Sequence, residues 1–179
     1  MLTDADIAYV EREFVPLADV CAAAGHDLGE TRARIAAREL PSPPYPGLEH
    51  VPADYFDLPD AASFVAEYTG ADPEDNLAAY LDGTYFVCLR HPTPATIVRK
   101  GELVDELREL LAAPREGDAG WRQALRERVE ELDGIERPFS PDYDRARFER
   151  PPTRDELIAG PRRRWPTVFA AAAGTARQR

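Results

Sequence analysis

The sequence is poor in the signals that mark secreted and membrane proteins. Cys21 and Cys88 are the only cysteines among 179 residues, too few for a secreted disulfide framework. No apolar run approaches the ~20 residues that a membrane-spanning helix needs. The N-terminus lacks the basic start and the apolar core of a signal peptide. We therefore expect a cytoplasmic protein with reduced thiols.

Motifs for metals and cofactors are also missing. The three histidines, His26, His50 and His91, lie far apart, and the two cysteines lack the spacing of a zinc finger. The chain has no glycine-rich phosphate loop, no nucleophile elbow and no zinc-protease helix motif. The sequence predicts neither a metal site nor a cofactor.

Basic residues are scarce in the first half of the chain. Residues 1–89 contain four arginines and seventeen acidic residues, a balance of −13, whereas residues 90–179 have a balance of +2. Lys100 is the single lysine beside twenty-one arginines. An acidic half repels nucleic-acid phosphates and favours solubility or basic partners.

Helix signals are frequent, and strand signals are scarce. No segment combines period-2 alternation with a hairpin turn dipeptide. Thr3, Asp27, Thr93 and Thr153 are predicted N-caps, because each stands before an apolar pattern of helical period. The pattern predicts an all-α fold, an irregular bundle of about six to eight short helices with proline-rich connecting arms.

The predicted helices are bounded by prolines and glycines. They run from Thr3 to Pro16, Leu17 to Gly25, Asp27 to Leu40, Ala61 to Tyr68, Asp72 to His91 with Gly83 inside, Thr93 to Pro114, Trp121 to Gly134, and onward from Thr153. Residues 93–133 are expected to form two antiparallel helices that supply much of the core. We predict an N-terminal unit at 1–45, a helical main body at 46–166 and a frayed tail at 167–179.

Residues 17–45 resemble the helix-turn-helix of the MerR and excisionase superfamily. An alanine-rich helix, a Gly25 turn and a second helix lead into Leu40-Pro41. An apolar residue usually follows that glycine in the superfamily, whereas this chain has His26. The resemblance implies a transcriptional regulator with Arg32, Arg34 and Arg38 on DNA. Four acidic residues in the same segment outweigh these arginines, so we expect it not to bind nucleic acid.

Two further blocks of the chain resemble an uncharacterised actinobacterial family. The first runs from Tyr80 to Arg90 and on through Thr93-Pro94 and Arg99-Lys100; the second runs from Arg137-Pro138-Phe139 through Asp142 and Arg145 to Phe148. The resemblance extends from about residue 15 to residue 166. The family is labelled as a natural-product biosynthesis protein of unknown function. The resemblance implies a setting in secondary metabolism and assigns no catalytic residue.

Seven side chains are candidates for a catalytic site: Tyr85, Cys88, Arg90, Arg99, Lys100, Asp142 and Arg145. Cys88 near Arg90 and His91 suits a nucleophile of lowered pKa, or it packs inertly on an apolar stripe. The pair at 99–100 suits an anion site, or it faces solvent. The charged residues of the 137–152 arm suit a substrate contact, or they pin the arm to the helices.

Three functions are consistent with these observations. The first is an accessory or interaction protein of natural-product biosynthesis that binds a protein of the same pathway. The second is a small cofactor-independent enzyme with a polar pocket between the central helices and the 137–152 arm. The third is a MerR-like regulator. The lack of a catalytic motif favours the first, and the sequence indicates no oligomeric state.

Overall fold

The computed structural model describes residues 1–148 and 151–170, which divide into two compact units. Unit 1 consists of residues 1–98 and 137–148, and unit 2 consists of residues 99–136 and the described residues from 151 onward. The predicted all-α fold is confirmed, since the described chain is helix and loop apart from one short strand pair. Residues 1–45 lie within unit 1 and share it with residues up to 98.

Short helices build unit 1. They are α1 (Asp4–Glu13), α2 (Leu17–Ala24), α3 (Leu28–Ala36), a 3-10 turn (Tyr55–Asp57), α4 (Ala61–Glu67), α5 (Pro73–Leu81) and α6 (Thr84–Cys88). Strands β1 (Val15–Pro16) and β2 (His50–Val51) pair antiparallel, with Val15 opposite Val51. No sequence pattern predicts this pair, because two-residue strands are too short to alternate.

The longest helices follow. They are α7 (Pro94–Ala112) and α8 (Ala119–Ile135), then α9 (Tyr143–Arg147) in the arm, a π-helical segment (Arg154–Ala159), α10 (Gly160–Arg164) and α11 (Pro166–Phe169). In unit 2 the predicted antiparallel pairing is confirmed, because Arg99 contacts Glu131 at one end and Leu110 accepts a hydrogen bond from Trp121 at the other. No helix of the described residues combines the length and the apolar character needed to cross a membrane.

Local capping signals set several helix ends as predicted. Thr3 accepts from the backbone N–H of Asp6, whose carboxylate accepts from Thr3 in return, which completes a capping box. The carboxylate of Asp27 accepts from the Glu30 N–H at 2.8 Å, and the Thr93 hydroxyl from the Thr96 N–H at 3.2 Å. Gly25 ends α2 at φ 72°, the left-handed conformation that glycine adopts readily.

The single helix predicted from Asp72 to His91 is wrong, because it breaks at Gly83. Gly83 has φ 73°, which lies outside the helical region. A side chain there would collide with the loop beneath, since a Cβ on Gly83 would lie 2.3 Å from the carbonyl oxygen of Ser42. The same loop is held by the hydrogen bond from the Ser42 N–H to the Leu81 carbonyl at 2.8 Å. The break follows from a contact that is remote in sequence.

Three other predicted boundaries differ. The helix expected to reach Leu40 ends at Ala36, since Arg38 adopts φ 59° and reverses the chain. Thr153 caps no helix, because its hydroxyl donates to Glu136 instead. The described start of the tail predicted as frayed forms α11, whose Val168 is buried; residues 171–179 lie outside the described residues.

Each unit has its own apolar core. The core of unit 1 is aromatic, with fully buried Tyr45, Tyr55, Phe64, Tyr80 and Phe86. The core of unit 2 is supplied by the two long helices and the segment after them; its buried members are Leu103, Leu107, Trp121, Leu125, Val129, Leu132, Leu157, Ile158, Trp165 and Val168.

Candidate functional site

The seven predicted site residues are divided between the two units. Tyr85, Cys88, Arg90, Asp142 and Arg145 belong to unit 1, and Arg99 and Lys100 belong to unit 2. Five of them make contacts that stabilise the fold within their own unit: Tyr85, Cys88, Arg99, Lys100 and Asp142.

The residues at the end of α6 pack against the core of unit 1. The hydroxyl of Tyr85 donates to the amide oxygen of Asn76 on α5. Cys88 is half-buried against the core, with its sulfur 3.8 Å from the carbonyl oxygen of Tyr85. Arg90 is half-buried as well. This placement fits the packing alternative for Cys88 better than the nucleophile.

Arg99 joins the two long helices of unit 2. Its guanidinium contacts both carboxylate oxygens of Glu131, at 2.6 and 2.8 Å, and also reaches Glu102 and Glu106. Hydrogen bonds from these three glutamates, that of Glu131 first, raise the pKa of Arg99. Arg128 on α8 shares Glu106 at 2.6 Å. The network is a clamp between helices, since every charge in it meets an opposite charge.

We predicted that Arg99 and Lys100 form an anion site or face solvent. The solvent-facing alternative is wrong for Lys100. Its side chain is 16% exposed, and its ammonium lies 3.0 Å from a carboxylate oxygen of Glu136. Glu136 is buried and accepts from the Thr153 hydroxyl. Burying a carboxylate without such partners would be costly. The only lysine therefore has a structural role that is sufficient to explain its position.

The arm at 137–148 is fixed to α1 by a buried carboxylate. Asp6 accepts from the backbone N–H groups of Asp142 and Tyr143, at 3.0 Å each, and from Thr3. Burial alone raises the pKa of Asp6, but the hydrogen bonds from Tyr143, Thr3 and Asp142 outweigh it and hold that pKa well below its usual range. The candidate residue Asp142 also accepts from the Thr3 hydroxyl at 3.0 Å.

A second buried cluster, which the sequence did not indicate, locks the same arm. The Tyr45 hydroxyl donates to Asp144 at 2.7 Å, and the Ser140 N–H donates to the same carboxylate oxygen at 2.8 Å. Burial, with the bond to Asp144, raises the pKa of Tyr45. Arg137 lies over the ring of Phe14 at 4.5 Å. We predicted that Arg–carboxylate pairs pin the arm, and Arg137 forms one with Glu13 at 3.4 Å. The bonds to Asp6 and Asp144 are of another kind, because their donors are backbone N–H groups and a tyrosine hydroxyl.

The three arginines of the helix-turn-helix segment are all paired with carboxylates. Arg32 contacts Glu49 through two hydrogen bonds, at 3.0 and 2.5 Å. Arg38 reaches Asp82 at 2.7 Å, and Arg34 lies 3.2 Å from Glu39 and 3.8 Å from Asp60. Phosphates would have to displace these partners before they could bind. His26, the unusual residue after the turn, stacks on Phe56 with ring centroids 4.1 Å apart.

Two grooves meet at Phe56 on unit 1, and together we call them the Phe56 groove. The first, of about 390 Å³, lies between α2 and residues 53–57; its lining residues are Val15, Asp19, Val20, Ala23, Ala24, Ala53, Asp54, Phe56 and Asp57. The second, of about 460 Å³, continues from Phe56 and Asp57 past Asp60, Ser63 and Glu67, with His26 and Arg34 on its wall. Five of the lining side chains are acidic, and among these residues of the described chain only Arg34 carries a guanidinium.

The Phe56 groove suits recognition better than catalysis. We call the exposed alanines and the half-buried Phe56 in its lining the floor, and the five acidic lining residues the acidic edges. Backbone hydrogen bonds from Ser63 hold the pKa of Asp60 below its usual value. Among the described residues, no group of three or more His, Cys, Asp or Glu side chains is placed to hold a metal ion. An apolar floor with an acidic rim can bind an apolar surface that carries cations.

Comparison with known proteins places the chain in a family. No curated protein and no solved structure matches it. Residues 52–166, more than half of the chain, match the model of DUF6058, a family of unknown function. The matched residues include the groove-lining residues between 53 and 67. They do not include the helix-turn-helix segment at 17–45. The chain thus belongs to the DUF6058 family.

Proposed function

We propose that this protein is a non-catalytic interaction protein that binds a partner protein through the Phe56 groove. The observation that carries the proposal is the groove itself, an apolar floor of exposed small residues with acidic edges on both sides. Exposed apolar surface rimmed by polar residues is typical of protein-binding sites. Most of the groove lining comes from α2 and from residues 53–67, and His26 and Arg34 add to it; these segments come together only in the fold.

The natural-product setting is part of the proposal and rests on the resemblance of the central and arm blocks to the actinobacterial family. The partner is then a protein of the same biosynthetic pathway. A cytoplasmic location agrees with the two free cysteines, Cys21 and Cys88, since reducing compartments keep thiols unpaired.

The alternatives have less support. An enzyme needs several reactive side chains around one cavity, whereas the predicted candidates of unit 1 hold separate partners, Asn76 for Tyr85 and Thr3 for Asp142. A DNA-binding regulator needs free cations to neutralise phosphates. The pairing of Arg32, Arg34 and Arg38 with carboxylates supports the interaction protein over the regulator.

The test is direct binding to the proteins encoded beside this chain. Each is purified and titrated against the immobilised full-length protein, at low and at physiological salt. We expect one of them to bind and to lose affinity to Ala23→Trp, which fills the groove floor. Ala22→Trp is the matched control, because Ala22 is exposed on the same helix but does not line the groove. Absence of binding to every pathway protein would contradict the proposal.

A further inference from the structure

The small side chains on the floor of the Phe56 groove allow the backbone of a partner segment to approach closely. Ala23 and Ala24 on α2, and Ala53 opposite them, are exposed and carry only a methyl group each. Val20, which is 7% exposed, and Phe56 also line the groove. Apolar side chains that follow one another at helical spacing fit such a surface, as in other complexes where an amphipathic helix lies in a groove.

The edges of the groove carry charge of one sign. Asp19 stands on the α2 side, while Asp54 and Asp57 stand on the other. Asp60 and Glu67 continue the acidic edge along the second groove. Asp19 and Asp57 are exposed, so cations reach them without desolvating a buried charge. The −13 balance of residues 1–89 adds a field that attracts cations and repels anions over a longer range.

Arg34 is the one arginine among the described residues that line the groove. It projects from α3 into the second groove, where it contacts Glu39 at 3.2 Å and stands 3.8 Å from Asp60. Its side chain remains 42% exposed, so it leaves the groove open. An arriving cation meets Arg34 as a competitor for Asp60.

We propose that the Phe56 groove binds a basic amphipathic segment of the partner, with apolar residues on the alanine floor and Arg or Lys against the exposed Asp19 and Asp57; Asp54 already lies 2.6 Å from Nδ1 of His91. This inference rests on the proposed function and names the chemistry of the partner. A nucleic acid is excluded by the repulsion between its phosphates and the acidic edges. Charge complementarity of this kind speeds association and selects partners.

The test uses a fluorescein-labelled peptide of about 18 residues, long enough to form helix when bound. It has leucines at i, i+3, i+4 and i+7 and arginines beside them. A charge-reversed peptide replaces every arginine with glutamate, and a scrambled peptide keeps the composition but loses the apolar face. We expect the full-length protein to bind the first peptide, with affinity falling as salt rises, and to bind neither of the other two.

Variants then locate the site. The double substitution Asp19→Asn/Asp57→Asn is expected to lower the affinity for the arginine peptide about three- to tenfold, since each exposed ion pair contributes little by itself. Arg34→Ala is expected to strengthen it about two- to fivefold, whereas Arg32→Ala, whose partner Glu49 lies outside the groove lining, leaves it unchanged. Asp75→Asn on α5 is the control for lost negative charge away from the groove. Far-UV circular dichroism checks that each variant is folded.

Other outcomes overturn the inference. Equal binding of the scrambled peptide means that only charge is recognised. Equal weakening by Asp75→Asn and by the groove variant means that the site lies elsewhere. If a pathway protein binds with the same affinity to the wild type, Ala23→Trp, Asp19→Asn/Asp57→Asn and Arg34→Ala, the protein is an interaction protein but its binding site is not the Phe56 groove. Self-association of the protein that Ala23→Trp abolishes would make a second copy the occupant instead.

Discussion

Replacing Gly83 with alanine tests why the helix predicted across residues 72–91 divides into α5 and α6. The added Cβ would lie 2.3 Å from the carbonyl oxygen of Ser42 and 3.2 Å from the Cα of Pro44. The residue also has φ 73°, so a side chain strains the backbone even without the collision. Gly47 is the matched control, because it has φ 79° and its added Cβ meets nothing within 4 Å.

The two substitutions share a positive φ and differ in surroundings, because Gly83 is buried against the loop and Gly47 is exposed. The left-handed conformation costs a non-glycine residue about 1–2 kcal/mol, and a lower entropy of the unfolded chain returns about 0.4–1 kcal/mol. Gly47→Ala should therefore lower the free energy of unfolding by about 1 kcal/mol. Gly83→Ala has the same strain, and the loop backbone must also move, which adds about 1–3 kcal/mol as in other overpacked sites.

Urea unfolding followed by far-UV circular dichroism measures both variants, and near-UV ellipticity checks that one transition describes the data. We expect Gly83→Ala to be less stable than Gly47→Ala by about 1–3 kcal/mol. Equal losses, within about 0.5 kcal/mol, would refute the contact with Ser42 as the reason for the break.

Three further perturbations probe other parts of the fold. Leu107→Ala in the core of unit 2 should cost about 2–5 kcal/mol of unfolding free energy, since the side chain is fully buried; a loss below about 0.5 kcal/mol in urea unfolding would contradict its burial. Arg38→Gly should be more stable than Arg38→Ala by about 1 kcal/mol in the same assay, because both lose the pair with Asp82 and only glycine relieves φ 59°; equal stabilities would show that no strain is stored there. Asp6 has a folded pKa below its unfolded value, so its contribution is present above about pH 4 and is lost as the pH falls toward the folded pKa. The stability difference between the wild type and Asp6→Asn should thus shrink from pH 7 to about pH 2.5, and a constant difference would contradict the low pKa.

Local chemistry explains which parts of the fold the sequence predicts. A capping side chain and its target amide lie within three residues, so Thr3, Asp27 and Thr93 mark helix starts correctly. Gly25 ends α2 for an equally local reason, its positive φ. Thr153 is not such a cap, because its hydroxyl donates a hydrogen bond to the buried carboxylate of Glu136, a residue remote in sequence.

Contacts between distant residues explain the rest. The pairing of Tyr45 with Asp144 joins residues 99 positions apart, and nothing near either residue indicates it. The same holds for Lys100 and Glu136, whose pairing turns an expected surface residue into a half-buried one. The sequence did not indicate the Phe56 groove, because its alanines and aspartates come from segments that are separate along the chain. What the sequence did indicate is the acidic first half, which favours a basic partner.

A charge-swap experiment on the Phe56 groove tests whether its acidic residues select a basic partner. Asp19→Arg/Asp57→Arg reverses the charge at two exposed edge positions, and the two labelled peptides, arginine and glutamate, are titrated against it and against the wild type by fluorescence anisotropy. We expect the wild type to prefer the arginine peptide and the variant to lose most of that preference, because the charge of the groove lining changes from −4, with five carboxylates and Arg34, to 0. If the variant still prefers the arginine peptide by the same factor as the wild type, the acidic edges of the groove do not select the partner and the proposed recognition of a basic segment is wrong.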